Sequence, residues 1–332
     1  MNTRTVGEAV REERLSYCAV ESVEDVFDQP PINVWLVAQC TSPSQRRGRY
    51  YAQSFVHPAK MLPELARRII TTYSKPGDFV VDPMSGIGTT GVEALRLGRR
   101  YVGIEIDPGY AELQEKNLQL ARSQGYQDGR IICADAREDS GLRNVDLVMF
   151  SPPYQDAIHN QGDELGRIRR KIENGTASAE LLRRFGNWKQ ENEWARAGLR
   201  PAGYSRDARN VGHFKGDRYW EAMGRIYEGV YAALRPNGYL AVVTKDQRDR
   251  KTGELTNLYG ETVLLCKSIG FILHEHIAAI LCAINEADGI TPRTSLWQRM
   301  AIPRALEKGT VKLIGQFEDV AVFMKGPSVP PM

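Results

Sequence analysis

Two short stretches hold residues whose types and spacing suit chemistry on a ligand. The first, Phe79 to Thr90, reads FVVDPMSGIGTT: an apolar run closes on Asp82, and Pro83, Met84 and Ser85 lead through Gly86 and Gly88 to Thr89 and Thr90. Glycine is needed where the backbone turns through conformations closed to residues with a Cβ or must approach a ligand closely. A helix opening directly after such a turn presents unpaired N–H groups to a carboxylate or phosphate. A lone Gly-x-Gly is a common tight connection and specifies little. The spacing to Glu105 sharpens it. A second strand-like run, Tyr101 to Ile104, ends on that acid 17 residues after Gly88, close to the ~20 expected of a carboxylate that accepts from a ribose hydroxyl.

The second stretch, Ser151-Pro152-Pro153-Tyr154, follows the apolar run Asp146 to Phe150. Each proline fixes its own φ and pushes the residue before it to an extended conformation, so Ser151 and the Pro152 carbonyl are held as rigid acceptors beside the ring of Tyr154. Rigid acceptors with a stacking ring are what a planar, amino-bearing base requires. An exocyclic amino nitrogen is a poor nucleophile until acceptors hold both its hydrogens and localise its lone pair. Attack at a pyrimidine carbon would instead need a cysteine, and none stands in this loop.

The elements that position these residues follow from periodicity. Strands are expected over Phe79 to Asp82, Tyr101 to Ile104, Arg130 to Cys133 and Asp146 to Phe150, with helices from Thr89 to Leu97 and from Pro108 onward. Right-handed crossovers then predict a doubly wound, mostly parallel sheet of order 3-2-1-4, with the glycine turn and the Ser151 loop sharing a crevice where the winding reverses. Three more strands, Tyr239 to Thr244, Ile272 to Leu281 and Val320 to Met324, bring the α/β sheet to seven. Before the glycine turn, His57-Pro58-Ala59-Lys60-Met61 opens a helix with Leu62, Leu65, Ala66, Ile69 and Ile70 on one face.

Three segments stand outside that pattern. Residues 1–32 read as a polar, loosely attached arm. Gln45 to Tyr51 sets Arg46, Arg47 and Arg49 beside two tyrosines, a combination suited to phosphate contact and base stacking as well as to a solvated loop. Between Gln155 and Asp217, twelve Lys/Arg face nine Asp/Glu, and Phe185, Trp188, Trp194, Tyr204 and Phe214 are interleaved. Basic and aromatic residues together suit a nucleic-acid surface, with Arg169, Arg170, Lys171, Arg206 and Arg209 as candidate contacts. Lys245 follows a strand at the same rim. The expected organisation is therefore an arm with a basic segment (1–54), a catalytic domain (55–154 and 218–326) and an inserted nucleic-acid-contacting segment (155–217).

The 332 residues are 42% hydrophobic, enough for a substantial core, and the net charge of +3 permits a polyanionic partner without requiring one. Five scattered cysteines without CxxC spacing argue against a disulfide framework and a structural zinc site, which suits a reducing compartment. No apolar run approaches a membrane span and no signal peptide is evident, so a cytoplasmic protein is expected. His274 and His276 share a strand face without a further ligand set, and no metal is assigned.

Asp82 to Thr90 followed by Ser151 to Tyr154 resembles the S-adenosylmethionine-dependent amino-group DNA methyltransferases, which modify cytosine N4 or adenine N6. The resemblance runs from about His57 to Lys325 and implies a Rossmann-like class I methyltransferase fold with an insertion after the fourth strand. It implies S-adenosylmethionine as cofactor, with its methionine end near His57, Pro58, Ala59, Gly86, Thr89 and Thr90. Its ribose would lie on Glu105 beside Ile106, and its adenine near Asp135 and Ala136. Ser151, Pro152, Pro153 and Tyr154 would form the catalytic loop acting on a base flipped out of double-stranded DNA. Cytosine N4 is the preferred target, with adenine N6 and the guanine N2 of a structured RNA as alternatives. HPAKM looks like the family motif that precedes the glycine turn. Here, though, SPPY follows that turn, whereas SPPY-type motifs commonly come first with a DPxxGxGTT turn.

Overall fold

The structure, a computed structural model, describes residues 32–52, 54, 60–155, 174–176, 205, 207–246, 254–285, 289–292 and 317–327. Its centre is a sheet built from β2 (Phe79–Asp82), β3 (Arg100–Glu105), β4 (Gly129–Cys133), β5 (Val145–Phe150), β6 (Leu234–Thr244), β7 (Ile272–Ile280) and β10 (Phe317–Met324). The order β4-β3-β2-β5-β6-β10-β7 contains the expected 3-2-1-4 arrangement, and only β10 runs antiparallel to its neighbours. The sheet has eight strands rather than seven. The eighth, β1 (Val34–Leu36), joins the far edge in parallel with β7, Val34 opposite Ala278 and Leu36 opposite Ile280, and is followed by the short helix α1 (Ser42–Arg46). A separate two-stranded ribbon pairs β8 (Cys282–Asn285) with β9 (Gly289–Pro292).

Both faces of the sheet are covered, which is why its central strands read as continuous apolar runs. Val80, Leu147, Met149 and Val243 pack beneath α2 (Pro63–Tyr73), α3 (Thr89–Arg96) and α4 (Pro108–Ser123) through Leu65, Ile69, Leu95 and Leu118. Their strand neighbours Val81, Val148, Phe150 and Val242 point to the other face, against Met223, Ile226 and Tyr227 of α5 (Asp217–Ala233) and Cys266 of α6 (Leu258–Ile269). Helix ends follow local sequence. Asp107 caps α4 by accepting from Gly109 N and Tyr110 N, with Pro108 in the first turn, where its missing N–H is no loss. Lys325 Nζ donates to the carbonyls of Tyr231 and Leu234 at 2.7 Å each, closing the C-terminal end of α5.

β6 begins at Leu234, five residues before the expected start at Tyr239. The ladder to β5 slips there, so that Val145 pairs with Leu234 and Leu147 with Tyr239, and Asn237 takes φ 59°. Cys40 is disulfide-bonded, against the expectation of a reducing setting without a disulfide framework; Cys133, Cys266 and Cys282 are free. Among the described residues no helix is long and apolar enough to cross a membrane.

The glycine turn is locked to the sheet by close packing. Gly88 adopts φ 77°, and a Cβ there would stand 2.5 Å from Gln114 Cγ. A Cβ on Gly103 of β3 would run into Gln114 Nε2 and the Tyr101 hydroxyl, and one on Gly91 would run into the Tyr101 ring. Overpacking of a buried site typically costs about 1–3 kcal/mol. Gly103→Val is therefore expected to lower stability by about that amount or more, read as a lower midpoint in thermal or urea denaturation. An unchanged midpoint would show that Gln114 can move aside at no cost.

Candidate active site

Asp82, at the end of β2, is buried. Its Oδ1 accepts from Met84 N at 3.0 Å and its Oδ2 from the Thr90 hydroxyl at 2.6 Å, so the carboxylate ties the strand end to the first turn of α3. Burial pushes its pKa up to about 7; the two hydrogen bonds pull the other way and the nearby Glu105 adds to the rise. Pro83, Ser85, Thr89 and Thr90 are buried around it, and Met84 is half-buried. Gly86 (φ 53°) and Gly88 take left-handed conformations through the turn. Helix α3 begins after Gly88 with no side-chain cap, so its first N–H groups keep their capacity to bind an anion.

Glu105 ends the neighbouring strand and is also buried. Gly86 N donates to its Oε2 at 2.8 Å and Asp107 N to its Oε1 at 2.9 Å. These two bonds orient the acid at the end of the strand. Ile106 beside it is half-buried. After β4, Asp135 is gripped by Arg137, whose Nε reaches Oδ1 at 2.9 Å. Burial works to raise the Asp135 pKa, but the hydrogen bonds and charge of Arg137 prevail and hold it below the ordinary carboxylate value. Ala136 is half-buried next to this pair.

The winding reversal sets β5 beside β2, with Val148 opposite Val81, so the loop after Phe150 emerges next to Asp82. In that loop Pro152 is buried while Ser151, Pro153 and Tyr154 are half-buried, Tyr154 leaning on the core. Tyr219 of α5 donates its hydroxyl to the Pro153 carbonyl at 3.0 Å, and Gly216 N donates to Gln155 Oε1 at 3.0 Å. Among the described residues neither the Ser151 hydroxyl nor the Pro152 carbonyl has a hydrogen-bond partner. The crevice thus combines buried acids on one wall with two open acceptors on the other.

The candidate nucleic-acid contacts divide. Arg47 is exposed, and Arg209 is exposed beside Asp207 at 2.8 Å. Arg46 is not a surface residue: its side chain is 1% exposed and bonds to Thr89, which removes it from the phosphate-contacting set. Arg49 is committed to the buried Glu93 at 2.7 Å, and the Tyr50 hydroxyl meets the same carboxylate at 2.8 Å. Phe214, counted among the interleaved aromatics of the insertion, is buried in the core with Arg218 4.0 Å above its ring. Lys245 is half-buried, its pKa lowered by burial and partly restored by Glu318; Asp246 caps α6 through Leu258 N at 2.7 Å. His57, Pro58, Ala59, Arg169, Arg170, Lys171 and Arg206 lie outside the described residues.

Sequence reasoning missed Tyr219, Arg137 and the end of the insertion. Arg137 Nη2 also donates to the Arg209 carbonyl at 3.0 Å, joining the Asp135 loop to the segment that returns to α5. The only signal for this in the chain is the two-residue spacing of Asp135 and Arg137. His276 pairs with Asp319 at 2.7 Å and stacks on Tyr259, and among the described residues no cluster suited to a metal ion occurs.

The N6/N4 methyltransferase family, described as DNA methylase, matches residues 3–116, a stretch that includes the glycine turn and Glu105 and ends before Asp135 and Ser151. A tRNA (guanine(10)-N2)-dimethyltransferase from Methanothermobacter thermautotrophicus is 32% identical over 127 residues, 38% of this chain and 37% of that protein. The type II methyltransferase M2.DpnII from Streptococcus pneumoniae is 44% identical over 63 residues, 19% of this chain and 24% of that one. The chain therefore spans about a quarter to just over a third of the length of these curated relatives. Among solved structures, an S-adenosylmethionine-dependent O-methyltransferase from Thermotoga maritima superposes with a TM-score of 0.46 at 13% identity, over 83% of this chain and 69% of that one.

The buried Asp82 makes stability depend on pH. An unfolded aspartate ionises near pH 4, the folded one at about 7. Below pH ~4 the group is protonated in both states and its contribution is fully present; it is lost as pH rises through 7, because the folded state must then ionise a buried carboxyl. Relative to Asp82→Asn, the wild type should lose up to about 4 kcal/mol of stability between pH 4 and pH 8. Urea denaturation across that range, showing a constant difference, would place the Asp82 pKa at an ordinary value.

Proposed function

We propose that this chain is an amino-methyltransferase that transfers a methyl group from S-adenosylmethionine to the exocyclic amino group of a base in double-stranded DNA, cytosine N4 before adenine N6. The observation that carries the reading is the pairing of two open acceptors, Ser151 Oγ and the Pro152 carbonyl, with the buried glycine turn across one crevice.

The residues present fit the cofactor. Glu105 would accept from the ribose hydroxyls, the uncapped start of α3 would receive the methionine carboxylate, and the loops carrying Ile106, Asp135 and Ala136 would flank the adenine. When bound, S-adenosylmethionine supplies an electrophilic methyl carbon on a sulfonium. This chain's part is to hold the nucleophile. Ser151 Oγ and the Pro152 carbonyl would accept the two amino hydrogens, returning the lone pair to nitrogen, and the Tyr219 bond to Pro153 would keep that loop from swinging. A paired amino group is out of reach in a duplex, so the base must be extruded at a cost of a few kcal/mol, offset in part by about 1–3 kcal/mol of stacking on Tyr154. The exposed Arg47 and Arg209 and the inserted segment would meet phosphate. A serine hydroxyl reaches less far than an Asp or Asn side chain, which suits the closer approach of a pyrimidine and supports cytosine.

A structured-RNA substrate is the second reading, favoured by the similarity to the tRNA dimethyltransferase. Tritium transfer from the labelled donor to duplex DNA and to tRNA, followed by digestion to nucleosides and mass measurement, separates the cases. N4-methylcytosine is expected. N6-methyladenine alone would overturn the assignment of the base, and label in tRNA alone would overturn DNA. Ser151→Ala should lower kcat at least about tenfold while leaving cofactor affinity unchanged. Glu105→Ala should weaken cofactor binding by about 1.5–3 kcal/mol in calorimetry; unchanged affinity would remove Glu105 from the ribose site.

A further inference from the structure

Arg218, the second residue of α5, is exposed, and its guanidinium carbon stands 4.0 Å from the centre of the buried Phe214 ring. Among the described residues it makes no hydrogen bond and no ion pair, and neither Asp217 nor Glu221, the acids within one turn of it on α5, engages it. Stacking on the ring fixes the head of a long side chain while its five N–H donors stay open. The other arginines of this wall are committed. Arg137, 5.6 Å from the same ring, holds Asp135, and Arg209 holds Asp207 at 2.8 Å.

Neighbouring bonds put Arg218 at the mouth of the crevice. Gly216 N donates to Gln155 Oε1 and the Tyr219 hydroxyl donates to the Pro153 carbonyl, each at 3.0 Å, so the residues two before and one after Arg218 are bonded to the end of the Ser151 loop. Lys215, also exposed, adds to the positive field of that rim. A nucleotide turned out of a duplex brings its flanking phosphates to the edge of the pocket that takes its base. A guanidinium fork meets a phosphate with two parallel hydrogen bonds, and one already held by a ring loses less freedom on binding than a mobile chain.

We infer that Arg218 grips a backbone phosphate beside the extruded nucleotide. The inference rests on the DNA reading above and gives it a contact that lies in neither the glycine turn nor the Ser151 loop.

Binding of a mixed-sequence DNA duplex to the full chain, measured with S-adenosylhomocysteine present at a series of salt concentrations, tests it. Arg218→Gln should weaken duplex binding about tenfold and make the salt slope shallower by about 0.9, the share of one phosphate contact. Arg225→Gln removes the same charge from an exposed position of the same helix, about 10 Å further from the crevice, and should leave the slope unchanged. Both variants should bind S-adenosylhomocysteine within about twofold of the wild type. An unchanged slope in Arg218→Gln overturns the inference. So does an equal change in Arg225→Gln, because net charge alone would then account for the effect. Arg218→Lys covers a glutamine variant that does not fold: it should keep the slope but weaken duplex binding about threefold by losing the fork, and unchanged affinity would overturn a guanidinium contact. A wild type that binds S-adenosylhomocysteine but no duplex overturns the DNA reading together with the contact, whereas a duplex-binding wild type with an unaffected Arg218→Gln overturns the contact alone.

Discussion

The structure depends on how closely one turn can lie against one strand. Gln114 of α4 reaches under the glycine turn, where its Oε1 accepts from Ser85 Oγ at 2.7 Å and its Nε2 donates to the Tyr101 hydroxyl at 2.8 Å. Ser85 N also donates to the Ile104 carbonyl at 3.0 Å. A buried amide leaves little tolerance, since each unmet polar atom costs about 1–3 kcal/mol. The wedge fits because positions 88, 91 and 103 carry no Cβ. Three glycines on three different elements are thus one packing decision. It holds the backbone of the turn close enough for Gly86 N to bond the Glu105 carboxylate and so places both acids of the crevice.

Charge does the same work on the two flanks. On one side Glu93, wholly buried in α3, gathers Tyr50 and Arg49, and Asn117 accepts from Tyr51 N at 2.7 Å, so the basic segment after β1 is part of the domain surface over the glycine turn. On the other side Arg137 joins Asp135 to the Arg209 carbonyl, while Val211 and Phe214 are buried in the core. The end of the inserted segment is in this way anchored to the wall where the proposed adenine site lies.

The chemistry proposed for the crevice needs little beyond positioning. Two acceptors on a proline-stiffened loop aim a lone pair, and buried acids hold the ribose and the turn. The sheet supplies the alignment, because β2 and β5 are adjacent where the winding reverses and both end at the same rim.

Much of this was legible in the residues. Strand and helix periods, the Asp-Pro-Gly start of α4, the 3-2-1-4 order and the convergence of Asp82, Glu105 and Ser151 on one rim all follow from local pattern and crossover handedness, because apolar period and glycine position report on a residue's own immediate surroundings. The fates of individual charges were not legible. Arg46, Arg47 and Arg49 look alike in the chain, yet one is buried, one exposed and one paired with Glu93, an acid more than forty positions away. Tyr219 reads as an ordinary apolar position of an amphipathic helix, and its bond to Pro153 exists only because α5 crosses over the Ser151 loop. The sequence by itself determined the elements and the kind of ligand the crevice suits. The tertiary structure decided which cations remain at the surface, since desolvation and pairing depend on what distant segments bring to the same place.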